Sequence, residues 1–103
     1  MPLKTAPFDP AAYLDTPGRQ QAFLDEALES GNAGEVAAAL GIIARARNFA
    51  KLAREIGVSR QGLTKALSRE GNPSLDTFLK VTKALHLDVR MDRTGRVRRA
   101  AKG

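Results

Sequence analysis

Apolar residues recur at helical spacing along most of the chain, and where the recurrence breaks stand residues that start or stop helices. Phe8 to Leu14 reads as a single helical turn, with Asp9 as cap, Pro10 at the first helical position, and Phe8, Tyr13 and Leu14 as docking groups. A second helix is predicted from Thr16 to Ser30, with Pro17 in its first turn and Gly31 ending it. Phe23, Leu24, Ala27 and Leu28 form its apolar stripe, while Asp25, Glu26 and Glu29 face outward. Asn32 followed by Glu35 matches a capping box and opens a third helix through about Arg47. Its broad apolar face (Val36, Ala39, Leu40, Ile42, Ile43, Ala46) makes it central to the core. Gly41 inside it costs about 1 kcal/mol relative to alanine, which close packing would explain.

The stretch from Phe49 to Leu67 places two short amphipathic segments on either side of Gly57-Val58-Ser59. Leu52, Ala53 and Ile56 fall on one side of the first; Leu63, Ala66 and Leu67 do so on the second. Asn48 is placed to cap the first segment, Gly57 can take the left-handed conformation that ends it, and Ser59 can cap the next. Val58 is expected to plug the angle between them. This is the pattern of a DNA-binding helix-turn-helix. An ordinary pair of helices joined by a tight turn is the bland alternative.

Ser68 to Pro73 is a loop by composition. Ser74 then caps a last helix, Leu75 to about Leu85, in which Leu75, Phe78, Leu79, Thr82 and Leu85 are expected to pack on the core. The period changes at Leu87-Asp88-Val89-Arg90-Met91-Asp92, where apolar and polar residues alternate as in a short strand. A lone strand needs a partner. Either the same strand of a second subunit pairs through Leu87, Val89 and Met91, or a hairpin closes through Arg96-Val97-Arg98. The domain reading is therefore a loose tail over 1–7, one domain over 8–92, and a basic tail over 93–103.

Composition changes this picture little, but charge changes it a good deal. Four Phe, one Tyr, no Trp and no Cys leave a core of Leu, Ile, Val and Ala, with neither disulfides nor thiolate metal sites. No apolar run approaches the roughly 18 residues of a membrane span, and the N-terminus lacks a signal pattern; a cytoplasmic location is expected. The net charge of +6 is unevenly divided. Residues 1–35 hold two basic and six acidic side chains, for −4; residues 36–103 hold fifteen basic and five acidic, for +10. An acidic front on a basic body suggests one basic partner and one polyanionic partner.

With Leu63 at the centre of the buried face and about 100° per residue, Gln61 and Lys65 lie nearest the outward direction, beside Thr64 and Ser68. Arg60 sits in the first turn, the end that a recognition helix pushes toward base edges. Gln61 suits adenine, Arg60 guanine, and Thr64 a thymine methyl or a phosphate; Lys65 suits guanine or the backbone. Gly62 leaves room for the sugar-phosphate wall. Ser59, Arg45, Arg47, Lys51, Arg54 and Arg69 are the phosphate candidates. So small a module implies a dimer on an inverted repeat. Enzyme chemistry has little support: His86 is the single histidine, at a helix end, and no metal or other cofactor is expected.

The run ALGIIARARNFAKLAREIGVSRQGLTKALSREGNPSLDTFLKVTKALHLDVRM (39–91) resembles the addiction-module antidote proteins, HigA-like helix-turn-helix antitoxins of the lambda-repressor-like class. Phe8-Asp9, Tyr13-Leu14 and the acidic helix ending in Glu26-Ala27-Leu28 match as well, so the resemblance covers 8–91. It implies an all-α, five-helix-type domain with a short C-terminal β-strand. It also implies a homodimeric, nucleoid-associated prokaryotic repressor of its own operon that neutralises a basic RelE/ParE-like toxin. Ser59, Arg60, Gln61, Thr64 and Lys65 would read DNA, and Asp25, Glu26 and Glu29 would meet the toxin. A stand-alone or phage-type regulator without a toxin, and a pure protein-interaction module, are the competing readings.

Overall fold

A computed structural model describes residues 14–89, which contain five helices and no strand: α1 (Pro17–Ser30), α2 (Ala33–Arg47), α3 (Phe49–Ile56), α4 (Arg60–Ala66) and α5 (Leu75–Ala84). Among the described residues no helix is long and apolar enough to cross a membrane. The expected helical turn over Phe8 to Leu14 lies outside the described residues except for Leu14, which is in no helix and is buried, as a docking group should be.

Each helix begins on a side-chain oxygen that accepts from a backbone N–H three residues on. The caps are Thr16 to Arg19 at 3.1 Å, Asn32 to Glu35 at 2.9 Å, Asn48 to Lys51 at 3.0 Å, Ser59 to Gly62 at 2.9 Å and Ser74 to Thr77 at 3.1 Å. Each such cap contributes about 0.5–2 kcal/mol. The capping box at Asn32 is half formed: its own N–H donates to Ser30 Oγ at 3.1 Å, and the Glu35 carboxylate turns instead toward Arg69.

Two helices end alike. Gly57 (φ 80°) closes α3, its N–H donating to Arg54 O and that of Val58 to Ala53 O. His86 (φ 59°) closes α5 with the same pair of bonds, His86 N–H to Lys83 O and Leu87 N–H to Thr82 O. The histidine thus holds a left-handed position where glycine is the commoner residue.

Leu14, Leu24, Leu40, Ile43, Leu63 and Val81 are the largest fully buried side chains. They join Ala44, Leu52, Ala53, Leu67 and Leu85 in one cluster. α2 runs through its middle, with α1 packed along it; α3 touches α2, α4 and α5.

The outer helices differ from expectation at several points. Asp25 does not face outward: it is 4% exposed and accepts from Gln21 Nε2 at 2.9 Å. Val58 is 40% exposed and does not plug the turn. In α5 the core side is Phe78, Val81, Thr82 and Leu85, whereas Leu75 and Leu79 stand 71% and 54% exposed. The chain enters α5 rotated so that Val81 takes the central place, and the two leucines are carried to its flank.

The expected strand is also altered where it can be seen. Residues 87–89 pair with no strand among the described residues, and Met91 lies outside them. Leu87 uses its N–H to finish α5, and both backbone groups of Asp88 bond to Gln21. Val89 is left exposed.

Candidate nucleic-acid interface

α4 is anchored from beneath. Leu63 and Leu67 are buried on its inner side, so Arg60, Gln61, Thr64 and Lys65 all point to solvent. The face computed from helical periodicity is the face that stands free. Ser59 is exposed too, but its hydroxyl oxygen already accepts from the Gly62 N–H. A side chain at Gly62 would meet that hydroxyl at 3.0 Å, a local reason for glycine alongside any approach of a phosphate wall. Ser68 is half-buried and donates to Lys65 O at 2.7 Å, closing the helix rather than extending its outer row.

What sets the height and tilt of α4 is the backbone of the loop after it, pressed against two glycines of α2. A Cβ at Gly41 would overlap the carbonyl oxygen of Leu67, and one at Gly34 would come within 2.5 Å of the Arg69 carbonyl oxygen. Gly71 in turn lies against the Lys65 and Ala66 carbonyls. The close approach foreseen for Gly41 is thus made with the end of α4.

The surrounding cations divide into two kinds. Arg45, Lys51, Arg54 and Arg69 are exposed, and Arg69 lies 4.0 Å from Glu35 Oε2. Arg47 is exposed as well, but its Nη1 donates to Gln20 Oε1 at 3.1 Å and to Leu85 O at 2.9 Å. It ties α1 to the end of α5 through Nη1, and its Nη2 and Nε take no part in these two bonds.

A second surface lies between α1 and α2. An apolar groove floored by Phe23, Ala27, Ala38 and Ile42 is rimmed by Glu26 and Glu35, with Arg69 at its margin. Of the three acidic candidates on α1, Glu26 and Glu29 are exposed, while Asp25 is buried beneath Gln21. Glu35, across the groove on α2, was not anticipated; its place in the first turn of a helix drew attention to its capping role instead.

Comparison with known proteins adds lineage to this geometry. The model of a family described as "Probable addiction module antidote protein" matches residues 4–93. A Haemophilus influenzae protein, described only as "Uncharacterized protein", is 45% identical over 87 residues, 84% of this chain and 90% of that one. No solved structure matches.

Proposed function

The chain belongs to the family of probable addiction module antidote proteins, and from that membership, which supports an antitoxin role, we propose the rest. It is the antitoxin of a type II toxin–antitoxin module: a homodimeric, sequence-specific repressor of its own operon that also neutralises a basic toxin of the RelE/ParE type. It acts in the cytoplasm, on the nucleoid.

The observation that carries the DNA half is the free row Arg60, Gln61, Thr64 and Lys65 on a helix held from below by Leu63 and Leu67. α3 and α4, joined through Gly57–Ser59, act as a helix-turn-helix of the lambda-repressor-like kind. α4 enters the major groove, where Gln61 can pair bidentately with adenine and Arg60 with guanine. Ser59, Lys51, Arg54 and Arg69 fix the register on phosphates, which favour the same basic surface on any sequence. The toxin half is supported by the acidic rim of the α1–α2 groove, whose charge is opposite to that of the DNA-facing side.

An electrophoretic shift assay with the DNA upstream of the chain's own reading frame tests the first half. A sequence-specific shift at physiological salt is expected. Binding equal to that on scrambled DNA would leave an interaction module. The second half is tested by co-purification with the product of the adjacent reading frame. A stable complex is expected, and its absence would leave a regulator without a toxin.

A further inference from the structure

Most of the net positive charge lies in a stretch that the helix-turn-helix does not use. Residues 90–103 carry Arg90, Arg93, Arg96, Arg98, Arg99 and Lys102 against Asp92 alone. They sum to +5 of the chain's +6, and residues 1–89 to +1. The last ten residues, 94–103, also lie beyond the 4–93 that the antidote family matches, so membership gives them no role.

The fold fixes where this stretch begins. His86 closes α5, and the half-buried Leu87 gives its N–H to Thr82 O. Asp88 follows, held by both backbone groups to the side chain of Gln21. Val89 therefore leaves the molecule from a set point on α1 and not from a free helix end. That point adjoins the proposed DNA side. Arg47 ties Gln20 of α1 and Leu85 of α5 to the end of α2, just before α3 starts. Arg47, Lys51 and His86 line one hollow there, with Glu55 as its single acid.

We propose that residues 90–103 are a second DNA-binding element, an arm that runs outward along the duplex from the base pairs facing α4. Its arginines would lie on phosphates and in the minor groove of the flanking base pairs. The proposal rests on the DNA half of the proposed function and extends it. Fourteen residues span at most about 45–50 Å when extended, more than the roughly 34 Å of one helical turn. The next minor groove is thus within reach. Arginine suits that place, because a narrow minor groove concentrates negative potential, and basic arms of other DNA-binding folds enter it. Once α4 has docked, binding of the arm is intramolecular, and a fixed root raises its effective concentration at the flank. The arm lengthens the site and adds affinity, while base readout stays with α4.

Shift assays across a salt series test this with the full chain and two duplexes. One duplex ends at the edges of the operator, and the other extends it by about one helical turn on each side. Circular dichroism confirms the fold of each variant. The wild type is expected to prefer the longer duplex and to protect the flanks from hydroxyl radicals. Arg96→Gln, Arg98→Gln and Arg99→Gln together should lower the salt slope on the longer duplex by about 2–3 and abolish the outer protection. Affinity for the shorter duplex should stay within about twofold. Gln21→Ala, measured where it is folded, keeps every cation of the arm but should lose much of the preference for the longer duplex. A preference that survived Gln21→Ala in full would overturn the role given to the clasp. A wild type that shifted neither duplex specifically would overturn the DNA reading itself. Specific binding that the triple variant left unchanged, or weakened equally on both duplexes, would spare that reading and overturn the arm. If the triple variant instead lost the protein encoded next door with DNA binding intact, these arginines would serve that partner and the proposal would fall.

Discussion

The side-chain amide of Gln21 holds Asp88 by both of its backbone groups: Oε1 accepts from the Asp88 N–H at 2.9 Å, and Nε2 donates to the Asp88 carbonyl at 2.9 Å. An extended residue receives these two bonds from a neighbouring strand in a sheet; here α1 supplies them from 67 residues away. The second hydrogen of Nε2 goes to Asp25, so every donor and one acceptor position of the amide are engaged. Gln20 does the same one residue earlier, donating to Leu14 O at 3.0 Å and accepting from Arg47. These adjacent glutamines weld α1 to both ends of the described chain.

Gln21→Ala should therefore destabilise the protein by about 1–3 kcal/mol, the usual penalty when a buried acceptor loses its partner. The freed Asp88 groups can turn to water; the Asp25 carboxylate, 4% exposed, has less access to it. Urea unfolding of the two proteins measures the difference. Unchanged stability would mean that water enters and replaces the amide.

The same chemical change at two glycines should have opposite signs. Gly18, in the first turn of α1, has open space around it, so Gly18→Ala should stabilise by about 0.5–1 kcal/mol through helix propensity. Gly41→Ala gains that propensity but drives a methyl into the Leu67 carbonyl, an overpacking cost of about 1–3 kcal/mol. Leu67 is the residue that ends α4, so DNA affinity should fall as well. Thermal melts and shift assays on both variants check this pair. A neutral Gly41→Ala would show that the loop after α4 can yield.

These residues mark how far the sequence could be read. Helix starts were legible because each is a local event: a Thr, Asn or Ser oxygen meets an N–H three residues on, and Asn32, Asn48, Ser59 and Ser74 cap where their residues indicated, while Thr16, expected as the first helical residue, is the cap just before it. The free face of α4 was legible because Leu63 and Leu67 leave one way for a short helix to lie. Gln20 and Gln21 were not, since an amide that bonds across the fold leaves no periodic mark in the chain. Asp25 was misjudged for the same reason, being polar and buried at once. Leu75 and Leu79 were assigned to the core because apolar spacing does not distinguish a helix's inner face from an exposed edge beside it.

For toxin binding, the burial of Asp25 separates two charges that are adjacent in sequence. Glu26→Lys, on the groove rim, should weaken the complex with the neighbouring gene's product at least ~10-fold, the scale expected when a complementary charge is reversed. Asp25→Asn should leave that affinity within about twofold, because surface electrostatics act through exposed groups. Calorimetric titration of both variants gives the two numbers. Equal loss for the two would return Asp25 to the contact surface.

Salt dependence should sort the cations of the proposed DNA face by whether their charge reaches a phosphate. Each such contact steepens the fall of log affinity with log salt by nearly one unit, whatever the sequence. Lys65→Ala and Arg69→Ala should therefore each lower the slope by about 1, Arg69 first releasing its loose hold on Glu35. Gln61→Ala should cost about 1–3 kcal/mol on the specific site and leave the slope unchanged. Arg47→Ala is the informative control. It removes an exposed positive charge close to α3 whose Nη1 is held by Gln20 and Leu85, so folding stability should fall and the slope should change less than for Lys65→Ala. A slope lowered as far as by Lys65→Ala, measured where the variant is still folded, would mean that Arg47 meets a phosphate in full.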